Sequence, residues 1–175
     1  VFNGDSATQR GITWYTKANT KSLVEIVDES GNPVNAKIEY AEVFEWEGNF
    51  VHKATVSGLE AGKTYYYDVG DETVRSAAGK FVTDNGDSKV DFIAIADIQA
   101  GNQENFNKGA RVVDYAFATM PTAEFMVNLG DFTDDSTNEE RERHAHAKNA
   151  INRRTTLAPI ACNHDGPGVE HSFNN

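Results

Sequence analysis

Polar residues follow three short apolar runs in the second half of the chain. They are, in order, Asp97 and Gln99, then Asp131, then Asn163 and His164. If the runs are strands of an α/β sheet, their carboxyl ends meet at one edge, where functional residues gather. Carboxylates that crowd together without Lys or Arg partners are costly unless cations neutralise them. We therefore predict a metal site at this edge.

The side-chain types favour hard or borderline cations. Oxygen ligands from Asp97, Gln99, Asp131 and Asn163 suit manganese, iron or zinc. In a two-metal site the ions lie roughly 3.5 to 4 Å apart, and one carboxylate bridges them. The two ions hold the attacking and the leaving oxygen during an in-line displacement at phosphorus. His164 lies next to a predicted ligand and is suited to protonate a leaving alkoxide or to stabilise charge on phosphoryl oxygens.

The elements around these residues have the pattern of an α/β domain. Apolar runs at 92–96 and 125–129 do not alternate with polar residues, which predicts strands buried on both faces. Between them, one apolar stripe at helical spacing predicts a helix that ends at Pro121. The stripe consists of Phe106, Ala110, Val113, Phe117 and Met120. A second, charged helix starting at the capping residue Ser136, and a third strand at 157–161, complete the order βαβαβ.

The first half of the chain has a different pattern, in which short β-rich runs alternate with Gly- and Asn-containing turns. This rhythm predicts an all-β sandwich. Trp14 alternates with polar neighbours and is predicted to lie in the core. His52 alternates in a similar β run, which favours a structural histidine whose ring nitrogens find partners.

The end of this first half resembles a fibronectin type III domain. Residues 56–67 contain the leucine, turn and tyrosine sequence of the tyrosine corner in such domains. The polar, turn-prone segment 84–88 then forms a natural boundary. We therefore predict a fibronectin type III-like β-sandwich at residues 1–86 and the N-terminal half of a catalytic α/β domain at residues 87–175.

The three polar clusters, taken in order, resemble the motifs of calcineurin-like metallophosphoesterases. Those motifs read D-x-H, G-D and G-N-H-D or G-N-H-E. With a sandwich domain in front, the whole order resembles purple acid phosphatases and their bacterial relatives. The matching residues are Asp97 and Gln99, then Gly130 and Asp131, then Asn163, His164 and Asp165.

This resemblance implies metal-dependent hydrolysis of phosphate esters with two divalent or trivalent ions. By resemblance Asp97 binds the first metal, Asp131 bridges, Asn163 binds the second, and His164 is the general acid or phosphate contact. A small phosphate ester or a nucleotide is the implied substrate, and the motifs do not separate monoesters from diesters. The resemblance also implies an extracellular or cell-surface bacterial protein.

Three positions depart from the family pattern. Gln99 stands where most of the superfamily has a metal-binding histidine. Gln99 would also bind the first metal, and a neutral amide is a weaker ligand than imidazole, so the identity of that metal is left open. Asp134 replaces the tyrosine that colours purple acid phosphatases proper, and we expect a colourless protein. Cys162 replaces a glycine, and we expect a small buried thiol there. Asp165 is interpreted as structural.

Family members also supply a lone histidine and an H-x-H pair further downstream, and these do not occur before Asn175. We therefore expect that a C-terminal part has been cleaved, omitted or supplied by another chain. Missing strands would leave an apolar sheet face exposed, and we expect the 175-residue chain alone to be inactive. The start at Val1 predicts a trimmed or mature product.

Charge and hydropathy limit the partners. A net charge of -11 argues against binding duplex nucleic acid or anionic membranes, and no apolar run is long enough to cross a membrane. Two alternatives to this function stay open. One is a non-catalytic binding or scaffold protein with a degenerate site, which Gln99 mildly favours. In the other, the sandwich domain is the functional part and binds a polymer or cell surface, with phosphatase chemistry secondary.

Overall fold

A computed structural model describes residues 1–46, 48–134 and 153–165 of the chain. The chain divides into two compact units, Val1–Ser88 and Lys89–Asn174. The predicted helix starting at Ser136 falls mainly outside the described residues. Within the described ranges, no helix is both long and apolar enough to span a membrane.

The first unit is built from antiparallel strands in two sheets. One sheet has the order β1-β5-β3, with β4 also pairing with β5, and the other has the order β2-β6-β7. The strands are β1 (Gln9–Thr16), β2 (Leu23–Asp28), β3 (Lys37–Tyr40), β4 (Phe44–Trp46), β5 (Asn49–Ser57), β6 (Thr64–Gly70) and β7 (Gly79–Val82).

Alternate residues of both sheets form one hydrophobic core, as the period-2 pattern of a half-buried strand requires. Trp14 of β1 is buried in this core, which confirms its prediction, and Tyr65 of β6 is buried with it. The Tyr65 hydroxyl accepts a hydrogen bond from the Glu60 backbone N–H (3.0 Å). This is the local contact expected at a tyrosine corner.

His52 is fully buried in the sandwich, and both ring nitrogens have partners. Thr16 Oγ1 donates its proton to the Ala18 carbonyl (2.7 Å), so it accepts from Nε2–H of His52 (2.7 Å). Nδ1 therefore accepts from Ser22 Oγ (2.8 Å). The ring also stacks on Trp14 at 5.1 Å between centroids. The prediction of a satisfied structural histidine is confirmed.

The described part of the second unit contains parallel strands and one helix. The strands β8 (Phe92–Ile95), β9 (Phe125–Asn128) and β10 (Thr156–Pro159) lie in the order β10-β9-β8. Helix α1 (Gln103–Thr119) connects β8 to β9. Asn102 caps α1, because its side chain accepts from the Asn105 backbone N–H (3.0 Å).

The predicted helix stripe is partly correct. Phe106 and Val113 are buried, as expected. Met120 is not part of the stripe: it forms the C-cap and is 39% exposed. The reason is that the helix ends at Thr119, before Pro121, so residue 120 has left the helical geometry that would aim it at the core.

The expectation that the strands are buried on both faces is wrong. Ile93, Met126 and Leu157 form a buried row on one face of the sheet. On the other face Phe92 is 46% exposed, and its ring stacks on Phe125. An apolar run cannot show whether both faces are covered.

Candidate metal centre at the ends of the parallel strands

The loops after β8 and β9 run side by side beyond the ends of their strands. The backbone N–H of Asp97 donates to the Gly130 carbonyl (3.1 Å), and that of Gln99 donates to the Asp131 carbonyl (2.8 Å). One residue after Gln99, a parallel bridge joins Ala100 to Thr133 in the loop after β9. These bonds extend the parallel pairing past the strands and bring the first two predicted clusters together.

The loop after β10 joins them through the third cluster. The backbone N–H of His164 donates to Asp131 Oδ1 (3.0 Å). Thr133 Oγ1 donates to the His164 carbonyl (2.8 Å), and Thr133 is fully buried. Asn163 lies next to His164 and is exposed. The backbones that carry all five predicted site residues therefore meet at one sheet edge.

Backbone strain is concentrated at this edge. Within residues 1–46, 48–134 and 153–165, the only non-glycine residues with positive φ are Asp97 (53°), Gln99 (40°) and Asp131 (51°). The left-handed conformation costs an L-residue roughly 1–2 kcal/mol, and such strain clusters at functional sites whose surroundings hold it in place. All three residues are predicted metal ligands.

Gly130 allows the second and third loops to approach each other. Its φ is 105°, and a Cβ at this position would lie 2.4 Å from the Cβ of Cys162. The Oδ1 atom of the buried Asn128 side chain accepts a hydrogen bond from the Gly130 backbone N–H (3.1 Å). A side chain at residue 130 would therefore separate the loop of Asp131 from the loop of His164.

Cys162 is exposed, so the expectation of a buried thiol is wrong. Its Sγ donates to Asn163 Oδ1 (3.4 Å). Asp165, in contrast, is buried and accepts backbone N–H groups, which agrees with the structural interpretation.

His164 is bound through its ring to the backbone of Asp134. Its Nδ1 lies 2.7 Å from the Asp134 carbonyl oxygen, so Nδ1 carries a proton, and Nε2 is the nitrogen that binds a second proton in the cationic form. This hydrogen bond has the largest effect and raises the pKa of His164, burial opposes it, and the carboxylates of Asp131, Asp134 and Asp165 each raise the pKa by less. The imidazole therefore stays cationic to higher pH than a free histidine.

The donor set fits the oxygen-rich part of a metal site. Asp97 and Asp131 supply carboxylates, and Gln99 and Asn163 supply amide oxygens, which suit hard or borderline cations. Among the described residues, no group of three or more His, Cys, Asp or Glu side chains is placed to hold a metal. The ligand roles of these four residues stay predictions.

A cavity of about 490 Å³ adjoins Asp97 between the end of β8 and helix α1. Its walls are mainly apolar, with Ile98 and Val112 among them, and Lys108 is the one basic side chain among its lining residues. Lys108 pairs with Glu104 one helical turn away (3.0 Å). The cavity is therefore next to the candidate site and differs from it in polarity.

Two buried residues that hold the site were not found from the sequence. Asn128 caps the turn at Gly130, and Thr133 anchors the carbonyl of His164. The only sequence signal for either is its position within two residues of the Gly130-Asp131 motif. Their roles depend on contacts with another loop, which sequence spacing does not encode.

The chain therefore combines an antiparallel sandwich unit with a parallel-sheet unit that has carboxylate residues after its strands. Residues 1–83 match the family described as purple acid phosphatase, N-terminal domain. The chain is a purple acid phosphatase-like protein that carries this N-terminal domain. No curated protein matches the sequence.

Two solved structures share the fold. A purple acid phosphatase from yellow lupin (Lupinus luteus) seeds aligns with 97% of this chain at a TM-score of 0.71 and 14% identity. The structure of PhoD aligns with 94% at a TM-score of 0.53 and 12% identity. The chain spans only 37% of the lupin protein and 40% of PhoD. At such identities the likeness concerns the fold alone.

Proposed function

We propose that this protein hydrolyses phosphate esters at a binuclear metal site. The observation that carries the proposal is the coincidence of backbone strain with the predicted ligands. Asp97, Gln99 and Asp131 have positive φ, and they lie on loops joined by backbone hydrogen bonds. Because the chain is similar to purple acid phosphatases, we interpret this strain as a sign of a metal site.

In this proposal each donor has a separate role. Asp97 and Gln99 would hold the first ion, Asp131 would bridge, and Asn163 would hold the second. The ions are manganese, iron or zinc, and when bound they supply an activated water and charge for the phosphoryl oxygens. The second unit is then the front half of an α/β metallophosphoesterase domain, and the first unit is a fibronectin type III-like sandwich.

His164 would deliver a proton to the leaving oxygen. Because Nδ1–H is bound to the Asp134 carbonyl, the proton available to a substrate is the one on Nε2. The raised pKa of His164 favours the protonated ring, the form that a general acid requires. The bond from its backbone N–H to Asp131 Oδ1 fixes the position of the residue relative to the proposed bridge.

The remaining ligands are proposed to come from a complementary C-terminal segment or a second chain. The fold relatives are more than twice as long as this chain, and Phe92 exposes apolar surface on the sheet. Under this proposal the substrate is a small phosphate ester or nucleotide, and the protein acts outside a bacterial cell or on its surface. The 175-residue chain alone would bind metal weakly and turn over little substrate.

Metal binding and turnover test the proposal together. Equilibrium dialysis against Mn²⁺ or Zn²⁺ should show two equivalents bound to the full-length protein, which should also hydrolyse an aryl phosphate. Asp131→Asn should abolish both. Asp114→Asn is a matched control, because Asp114 lies within α1 and pairs with Arg154, which precedes β10 and does not follow a strand, and it should retain both properties. Full turnover by the Asp131→Asn protein would refute the bridging role.

A non-catalytic scaffold is the second candidate. It is favoured by the amide at Gln99 and by the lack of a three-residue His, Cys, Asp or Glu group within the described part of the chain. Under this alternative the full-length protein binds no transition metal at micromolar concentrations. Metal content after purification in the presence of Mn²⁺ and Zn²⁺ therefore separates the two candidates.

A further inference from the structure

Asp165 is a buried carboxylate that connects two loops of the candidate site. Oδ1 accepts the backbone N–H groups of Phe132 (2.8 Å) and Thr133 (3.2 Å), which directly follow Asp131. Oδ2 accepts the backbone N–H of Cys162 (3.2 Å), in the loop after β10. Only 9% of Asp165 is exposed. The carboxylate thus holds the loop of the proposed bridge against the loop of the proposed proton donor.

We propose that Asp165 is the positioning residue that sets the geometry of Asp131 relative to His164. The inference rests on the proposed function and adds to it. Asp165 itself would touch neither metal nor substrate. It would act through the backbone of its neighbours, by fixing where the Asp131 carboxylate and the His164 imidazole stand when metal binds.

The contacts around Asp165 form a closed ring, which makes the two loops one rigid unit. His164 N–H donates to Asp131 Oδ1, and Thr133 Oγ1 donates back to the His164 carbonyl. The Asp165 backbone N–H also donates to the Cys162 carbonyl (3.1 Å), which closes the turn that carries Asn163 and His164. A ring of this kind can hold Asp131 at its strained φ of 51°.

A carboxylate is needed at this position because both of its oxygens face donors. Asparagine would offer one acceptor and one NH₂ group, so at least one of the N–H groups of residues 132, 133 and 162 would face another donor. A buried N–H without a partner is costly, and the loop would shift to avoid it. Asp165→Asn therefore changes hydrogen bonding with almost no change in side-chain volume.

The test compares Asp165→Asn with wild type and with Asp114→Asn in the full-length protein. Mn²⁺ and Zn²⁺ affinities are measured by calorimetry below the thermal transition of each protein. Because partners of metal ligands typically contribute about 10- to 100-fold to metal affinity, we expect a loss of that size in Asp165→Asn and none in the control. Asp165→Glu, which keeps both oxygens, should recover part of the affinity.

A folded Asp165→Asn protein with wild-type metal affinity would overturn the inference. A purely structural role would lower the thermal transition and leave the affinity of the folded protein unchanged. If Asp165→Asn does not fold, Thr133→Val breaks the same ring more mildly, and it should lower the affinity by a smaller factor. Unchanged affinity in that variant would also count against the ring.

Failure of the proposed function would be recognised separately. If the wild-type protein binds neither metal, the phosphoesterase proposal fails, and the inference is then judged by NMR. The ¹⁵N shifts of the His164 ring report its tautomer, and the amide shift of His164 reports its bond to Asp131. Both should change in Asp165→Asn and stay fixed in the control. Unchanged spectra would show that Asp165 does not position these groups.

Discussion

Acidification should destabilise the sandwich unit through His52. Burial lowers the pKa of His52, with a smaller opposing effect from the Asp71 carboxylate. In the unfolded chain this histidine has a pKa of about 6.5. Below that pH the unfolded chain binds a proton that the folded chain does not. The stability contribution is therefore fully present above about pH 6.5 and is lost as the pH falls toward the lower pKa of the folded state.

The loss of stability is limited by the single proton that His52 binds in the unfolded chain. A single group changes the free energy of unfolding by at most about 1.4 kcal/mol per pH unit. Between pH 7.5 and 5.5 the total loss from His52 is therefore at most about 1.4 kcal/mol, reached if the ring stays neutral throughout. Urea unfolding followed by tryptophan fluorescence measures it, because Trp14 and Trp46 both lie in the sandwich unit.

The matched control is His52→Gln, which can still donate to Thr16 and accept from Ser22 but does not titrate. This variant should be less stable at all pH values, because it loses the stacking on Trp14. Its stability should fall less than that of wild type between pH 7.5 and 5.5. Subtracting the free energies of unfolding of the two proteins at each pH cancels the contributions of every other titrating group. A difference that is independent of pH would refute the reasoning.

Three further substitutions test single contacts by chemical denaturation. Gly130→Ala should destabilise the second unit by more than about 1–2 kcal/mol, because a positive φ of 105° adds to the 2.4 Å approach to Cys162. Tyr65→Phe should cost about 1 kcal/mol, because Glu60 N–H loses its acceptor. Gln99→Gly should be neutral or stabilising by up to about 1 kcal/mol in the absence of metal and should weaken metal binding, as calorimetry would show. A clear loss of stability in Gln99→Gly, or no loss in Gly130→Ala, would contradict this account of the strain.

Local pattern was enough to predict the strands and the residues that follow them. The strand predicted at 157–161 is observed as Thr156–Pro159, and the run at 125–129 is observed as Phe125–Asn128. Short apolar runs bounded by polar turns determine such elements locally. Trp14 and His52 were predicted for the same reason, since alternation in a strand assigns each side chain to a face.

Features that depend on a second segment could not be predicted in this way. The exposure of Phe92 depends on what covers the sheet, and the exposure of Cys162 depends on how the loop after β10 packs against its neighbours. The position of Asp165 in the motif suggested a structural role. Its three N–H donors, however, come from two different loops, which the motif does not show. Hydrogen bonds between loops follow from tertiary packing, which a single sequence does not specify.

The three residues with positive φ depend both on local residue type and on contacts between loops. Asp97 and Asp131 are of a type that visits the left-handed region with modest cost, because a short polar side chain bonds locally. Gln99 has no such compensation, and glycine would be the easier choice there. Its conformation is held by the bond from its N–H to the Asp131 carbonyl (2.8 Å). The proposed metal site would give this strained residue a role, because the amide oxygen of Gln99 would serve as a ligand. Stability and metal affinity that move in opposite directions in Gln99→Gly would therefore favour the enzyme over the scaffold.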